Sequence, residues 1–247
     1  MGNYAVLGIL VGAIIGYLVE LLVRAIPTGS LNAKCVQCGK TIAYSENQFF
    51  LKSCSSCGAK PAIRPLIIFV ISMVGAILLG FNQSSPANVL LGWSILFFLL
   101  VIAFIDIEHH LILHSTTLFG LFFSAAAGTM IHGFKRSIVG GAIGLIFIGS
   151  FYVFGVFYAK YKSRKNKAGV EFEEALGFGD VTLATVLGMF LGHLEVFPAL
   201  ILGVFLAGGF SLVIVVKMLI SKNYSSQIYI PYGPFLILGA IAYLFYF

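Results

Sequence analysis

The sequence has few charged residues, and their scarcity limits what the chain can be. Only 10% of its 247 residues are charged and 60% are hydrophobic, whereas about a quarter of an ordinary soluble domain is charged. A chain of this size cannot hide so much apolar surface from water, which excludes a soluble globular enzyme and a disordered chain. The basic residues are also too few to indicate a nucleic-acid-binding module.

Long apolar runs occupy most of the chain. They are continuous and do not alternate every second residue, which favours membrane-spanning helices of about 20 residues over strands. We therefore expect an all-α polytopic membrane protein with about eight transmembrane helices in a lipid bilayer. No basic segment or cleavage site accompanies the first run, so we expect a retained span. The runs cover residues 4–23, 66–81, 88–105, 116–131, 138–158, 180–192, 196–216 and 233–247.

The basic residues predict the topology of these spans. Thirteen of the 15 fall in alternate loops, after the first, fifth and seventh runs, and the other two are Lys135 and Arg136. Basic loops are retained in the cytoplasm, so loops 24–64 and 159–179 are predicted to be cytoplasmic and both termini to be outside. Eight spans satisfy this arrangement.

All four cysteines lie in the first of these loops. They form two Cys-x-x-Cys pairs, and Gly39 and Gly58 follow the pairs and permit tight turns. This spacing predicts a closed, structural zinc site, with redox-active thiols or two disulfides as alternatives; a reducing cytoplasm argues against disulfides. We expect a first transmembrane helix at 1–26, a cytoplasmic zinc-knuckle domain at 27–65 and a multi-helix membrane domain at 66–247. The predicted ligands are Cys35, Cys38, Cys54 and Cys57.

Two aspartates lie at the ends of predicted spans. Asp106 ends the third run and Asp180 begins the sixth, so the topology puts both at the same membrane boundary. Two carboxylates that share a site hold one proton between them, which is the requirement of an aspartic protease. Gly177 and Gly179 would let a substrate backbone approach Asp180. Alternatively, Asp180 caps its helix, or both acids relay ions.

Three further patterns carry weaker predictions. Asp106, His110 and His114 share one helical face, and could bind a catalytic metal, although histidines near a membrane interface are more often hydrogen-bonding residues. Glu20 precedes Arg24 by four residues, which indicates a structural ion pair. Gly140 and Gly144 are spaced for close helix packing.

Four stretches, taken together, resemble the type IV prepilin peptidases, a family of membrane aspartyl proteases with a Gly-x-Gly-Asp motif. The resemblance covers nearly the whole chain. The matching stretches are the four-cysteine set, Phe104-Ile105-Asp106, the segment from Gly177 through Asp180 to Leu183, and the segment from Ile230 to Leu236 with its Pro-x-Gly-Pro pattern.

The resemblance implies a function. It implies an aspartic endopeptidase that cleaves basic leader peptides from prepilins or pseudopilins at the cytoplasmic face of the bacterial inner membrane, with Asp106 and Asp180 as catalytic residues. Many family members also methylate the new N-terminus with S-adenosylmethionine. We expect Glu173 and Glu174 to attract the leader, and no nucleic-acid partner.

The sequence departs from the family at two places. Leu113 to Thr117 replaces the usual Leu-Pro-Asp/Asn-x-Leu-Thr, and the Glu of a family Arg-Tyr-Pro-x-x-Glu segment is missing after Arg64-Pro65. The second departure concerns the methyltransferase more than the protease. Two other classes of function remain as alternatives, a proton-coupled transporter that uses Asp106 and Asp180 as a relay, and a membrane scaffold without enzymatic activity.

Overall fold

The computed structural model describes residues 3–29, 32–35, 38–42, 54, 56–58, 63–82, 85–109, 114–165, 177–221 and 231–246. Within them the chain is helical, apart from a two-stranded antiparallel hairpin in the cysteine segment. The helices are α1 (Asn3–Thr28), α2 (Arg64–Asn82), α3 (Pro86–His109), α4 (His114–His132), α5 (Phe134–Lys165), α6 (Phe178–Ser221) and α7 (Gly233–Tyr246), and the strands are β1 (Ala33–Lys34) and β2 (Thr41–Ile42).

The prediction of a helical membrane protein is confirmed, but the prediction of eight spans is not. Five of the described helices are long and apolar enough to cross a membrane, namely α1, α2, α3, α5 and α6. Shorter apolar helical segments occur in α4, at Thr116–His132, and in α7, at Gly233–Leu244. The predicted runs 180–192 and 196–216 both lie in α6, on the two sides of its non-helical residue, Gly192.

Helix α6 is broken at Gly192, where φ is 75° and ψ is −179°. This left-handed conformation is one that only glycine adopts readily, and it interrupts the helical hydrogen bonds around it. Side chains from neighbouring helices satisfy two carbonyls just before the break. Ser137 Oγ donates to the Met189 carbonyl at 3.1 Å, and His132 Nε2 lies 3.1 Å from the Phe190 carbonyl oxygen. Hydrogen bonds from α4 and α5 therefore replace helical hydrogen bonds next to the break.

The chain divides into two compact units, Met1–Ile105 and Asp106–Phe247. In the first unit α1 packs closely on α2, where a side chain added at Gly12 would stand 2.6 Å from Met73 Cα. The Trp93 indole in α3 donates to the Ala76 carbonyl at 3.0 Å, which fixes α3 against α2. Small residues thus allow α1 and α2 to pack closely, and the Trp93 hydrogen bond adds a buried polar contact between α2 and α3.

In the second unit α6 packs against α4, α5 and α7. The close packing predicted from Gly140 and Gly144 is confirmed, because a side chain at either glycine would collide with the backbone of α6, at Gly188 and at Ala184. The first turns of α6 are the most buried part of that helix, with Leu183, Ala184, Val186 and Leu187 fully buried. This core fixes the end of α6 that carries Asp180.

Candidate active site and cysteine cluster

Asp106 lies near the end of α3, with 5% of its surface exposed. Its Oδ2 accepts a hydrogen bond from the Gly233 N–H at 3.1 Å, across 127 positions of sequence. A buried carboxylate needs such donors, because removal from water is costly for a charged group. The first residue of α7 therefore supplies a hydrogen bond to the acid in the last turn of α3.

Asp180 lies in the first turn of α6 and is 8% exposed. Its Oδ2 accepts the Gly177 N–H at 3.2 Å, and its own N–H donates to the Gly177 carbonyl at 3.1 Å. This is the reciprocal geometry of a helix cap, in which a third-residue acid reaches back to the preceding turn. The capping alternative thus describes one contact of Asp180, and that contact fixes the direction of the carboxylate.

The structure brings the two aspartates together in one unit. Asp106 acts electrostatically on Asp180. Gly233 lies between Asp106 and α6, since a side chain added there would stand 2.5 Å from Asp106 Oδ2 and 3.4 Å from Leu183 Cδ2, one turn after Asp180. The last turn of α3, the first turns of α6 and the start of α7 therefore meet at this point.

The other predicted site residues are only partly described. Gly177 is exposed and Gly179 is half-buried, both beside Asp180. Glu173 and Glu174, predicted to attract the leader, lie outside the described residues. The predicted metal site on Asp106 also depends on His110, which lies outside them, and on the side chain of His114, which is likewise not described.

An apolar groove runs between α5 and the first turns of α6. Its volume is about 750 Å³. The α5 wall contains Gly149 and Val153, and the α6 wall contains Phe178, Val181 and Thr182, which flank Asp180 in sequence. Thr182 directs its hydroxyl to the Gly179 carbonyl at 2.8 Å, so this polar group is already satisfied. The groove offers an apolar surface on the same turns of α6 that carry Asp180, although Asp180 does not line it.

The four cysteines converge on one point. Their sulfur atoms all lie within 4.8 Å of one another. Cys35 and Cys57 Sγ are 3.6 Å apart, and Cys38 and Cys54 Sγ are 3.8 Å apart, whereas a disulfide measures about 2.05 Å. These separations are close to the roughly 3.8 Å edge of a sulfur tetrahedron around a metal bound at about 2.3 Å. The residues therefore fit a metal ion.

The two cysteine pairs have matching turns. The Gly39 N–H donates to the Cys35 carbonyl, and the Gly58 N–H donates to the Cys54 carbonyl, each at 2.9 Å. Both glycines have positive φ, 68° and 69°, as the sequence predicted. Backbone N–H groups of Ser56 and Cys57 lower the pKa of the Cys54 thiol, which favours the thiolate that binds metals.

A third buried carboxylate lies in the other unit. Glu20 has no exposed surface, and its Oε1 accepts hydrogen bonds from Arg24 Nε at 2.7 Å and from Arg64 Nη2 at 2.5 Å. The predicted Glu20–Arg24 ion pair is confirmed. Two contacts were not predicted from the sequence, that of Arg64 with Glu20 and that of Gly233 with Asp106. The late Pro-x-Gly-Pro pattern was the available signal for the second.

Comparisons with known proteins point to one family. Residues 93–212 match the model of the type IV leader peptidase family. The chain is 28% identical over 229 residues to a prepilin leader peptidase/N-methyltransferase of Dichelobacter nodosus, and 30% identical over 224 residues to one of Pseudomonas aeruginosa. Each alignment covers 86% of this chain and 71% of the relative. No solved structure matches the chain.

Proposed function

The chain belongs to the type IV leader peptidase family, and from this premise we propose that Asp106 and Asp180 are the catalytic dyad of a prepilin peptidase. The observation that carries the proposal is the meeting of the two buried carboxylates, each directed by a backbone N–H. The match to the family also spans both aspartates, since it covers residues 93–212.

The dyad acts through a water molecule rather than through a covalent intermediate. Two neighbouring carboxylates hold one proton between them, so one is charged and the other is protonated. The charged carboxylate takes a proton from the attacking water, and the protonated one donates a hydrogen bond to the scissile carbonyl. The exposed Gly177 and half-buried Gly179 leave room for the substrate backbone beside Asp180.

The substrate is a prepilin or pseudopilin with a basic leader and an adjoining apolar segment. The groove between α5 and α6 suits an apolar helix, because Gly149 and Thr182 allow close approach in a lipid environment. Such a helix would enter laterally from the bilayer and leave the scissile bond next to Asp180. Glu173 and Glu174 are proposed to attract the leader, and the basic loops favour a cytoplasmic active site in the bacterial inner membrane.

The cysteine cluster is proposed to bind structural zinc. Four thiolates form a closed tetrahedral set, which stabilises a fold but leaves no position for a substrate. Residues 27–65 are too few to build an adequate apolar core alone, so a metal would supply folding free energy. Metal analysis of the purified protein should give one zinc per chain, and Cys35→Ser should abolish it; full zinc content in that variant would contradict the proposal.

N-terminal methylation is proposed as a second activity. The relatives in Dichelobacter nodosus and Pseudomonas aeruginosa are both named as N-methyltransferases, which supports S-adenosylmethionine as a cosubstrate. The transporter alternative is not favoured by the family match. Mass spectrometry of the processed substrate, incubated with and without S-adenosylmethionine, tests the methylation.

The dyad is tested by leader cleavage in membranes that contain the parent, Asp106→Asn or Asp180→Asn. Both variants should lose cleavage while they accumulate at the parent's level. Glu195→Gln provides a matched control, because Glu195 is another acid of α6, beyond its break. Processing at the parent's rate by either aspartate variant would overturn the assignment, as would equal loss in the control.

A further inference from the structure

At the start of α7, one backbone N–H group is directed at a carboxylate of another helix. The first four N–H groups of a helix have no partner within the helix. Here Pro234 has none to offer, and those of Phe235 and Leu236 donate to the Tyr232 carbonyl at 3.1 and 3.2 Å. The N–H of Gly233 is left to point outward, and it donates to Asp106 Oδ2 at 3.1 Å. The Pro-x-Gly-Pro segment thus presents one donor to one carboxylate.

Gly233 also makes room for that carboxylate. A Cβ at this position would stand 2.5 Å from Asp106 Oδ2 and 3.2 Å from its Cγ, closer than real Cβ contacts come. The φ of Gly233 is not positive, so space rather than backbone conformation requires glycine. Leu183 Cδ2 would lie 3.4 Å from the same Cβ. Any side chain here would therefore move the Asp106 carboxylate.

From these contacts we propose that Gly233 is a positioning residue that holds Asp106 in register with Asp180. Its N–H selects the direction of the Asp106 carboxylate, and its missing side chain lets that carboxylate lie against the first turns of α6. Misplacement of a reacting group by about 1 Å can lower a rate about 100-fold. This inference rests on the proposed function, because it requires that Asp106 be catalytic.

The first test is Gly233→Ala, assayed for kcat and KM on a prepilin substrate. We expect kcat to fall about 100-fold with KM within about twofold of the parent's, because the α5–α6 groove is untouched. Gly155→Ala is the matched control, since a Cβ there meets nothing within 4 Å, and it should keep both constants. A parental kcat in Gly233→Ala, or a loss expressed only in KM, would overturn the inference.

A second test separates positioning from a general effect on folding. In an Asp106→Asn background, Gly233→Ala should cause no further loss of kcat, because its effect passes through the Asp106 carboxylate. A further loss of similar size in the double variant would mean that Gly233 acts elsewhere. Full activity of Asp106→Asn would instead overturn the proposed dyad, so the two failures are distinguishable.

If Gly233→Ala does not fold, a third variant tests whether the position of the Asp106 carboxylate matters. Asp106→Glu keeps the carboxylate but lengthens its side chain by one methylene, so the acid cannot accept the Gly233 N–H in the same orientation. We expect kcat at least tenfold below the parent's, with parental yield and thermal stability. A parental kcat for Asp106→Glu would show that the position of this carboxylate is not critical, and would overturn the inference.

Discussion

Two kinds of buried carboxylate occur in the two units of this protein. In the first unit Glu20 is completely buried and is held by the guanidinium groups of Arg24 and Arg64. In the second unit Asp106 and Asp180 each accept a backbone N–H and interact with one another. A guanidinium group offers a carboxylate charge-assisted hydrogen bonds, whereas two neighbouring carboxylates repel one another unless they hold a proton between them.

The different partners of these carboxylates indicate which acid has a structural role. Arg24 lies near the end of α1 and Arg64 begins α2, so the Glu20 cluster joins the two helices that flank the cysteine segment. Its bonds hold elements together and leave Glu20 inaccessible. The aspartates are instead directed by backbone N–H groups at the starts of α6 and α7. The buried fraction alone does not distinguish the three acids, because all of them are almost completely buried.

The comparison predicts opposite signatures for Asp180→Asn and Glu20→Gln, and the first is the largest effect that we expect. Asp180→Asn should lower kcat by at least about 10³-fold with little change in Tm. Glu20→Gln should lower the free energy of unfolding by about 2 kcal/mol, less than for a fully buried pair because both arginines are partly exposed.

Cleavage kinetics and thermal unfolding in detergent, measured on both variants, check this prediction. The comparison would break if Glu20→Gln lost kcat without losing stability. It would also break if Asp180→Asn unfolded well below the parent, since the acid would then be mainly a helix cap.

A substitution at Gly140 should disturb the packing of α5 on α6 without changing any carboxylate. In Gly140→Val the new side chain would collide with the Gly188 carbonyl on α6, and overpacking of this kind costs about 1–3 kcal/mol. Gly155→Val on the same helix has open space around it and should cost much less. We expect a lower Tm for Gly140→Val but a parental kcat for the folded fraction. Equal Tm values for the two variants would contradict the packing of α5 on α6.

Filling the groove should affect substrates selectively. Gly149→Leu projects a side chain into the groove beside Val181, and should raise the KM for a full prepilin about tenfold, equivalent to about 1.4 kcal/mol of binding. A short peptide that carries the cleavage site but no apolar helix should be cleaved as before. Gly155→Leu is the control. An equal effect on both substrates would mean that the groove does not receive the apolar helix.

The smallest effect concerns the leader. Glu173→Gln combined with Glu174→Gln should weaken binding of a basic leader by about threefold at low salt, because exposed charge pairs contribute about 0.2–1 kcal/mol. The difference should shrink as salt screens the charges. KM measured at several ionic strengths checks this. A defect that does not depend on salt would contradict an electrostatic role.

The sequence predicted the contacts that lie within one helix or one motif. Continuous apolar runs indicated the helices, the spacing of Glu20 and Arg24 indicated their ion pair, and the two Cys-x-x-Cys pairs with Gly39 and Gly58 indicated the cysteine cluster. Each of these depends on helical periodicity or on turn geometry, which a local window of sequence contains.

Contacts between distant segments were harder to predict. Arg64 reaches Glu20 across 44 positions and Gly233 reaches Asp106 across 127, and no local pattern specifies such pairings. The count of eight spans is not confirmed, because composition alone does not tell which apolar runs become helices long enough to cross a membrane. The meeting of Asp106 and Asp180 was predicted only through the topology and the family resemblance.

The most direct test of the dyad is a double-mutant cycle on prepilin cleavage with Asp106→Asn, Asp180→Asn and the double variant. Residues that act as one catalytic unit are strongly non-additive, so removing the second costs little once the first is gone. We predict single-turnover rates for the double variant within about threefold of the slower single variant. If instead the two losses multiply, the aspartates act independently and do not form one dyad.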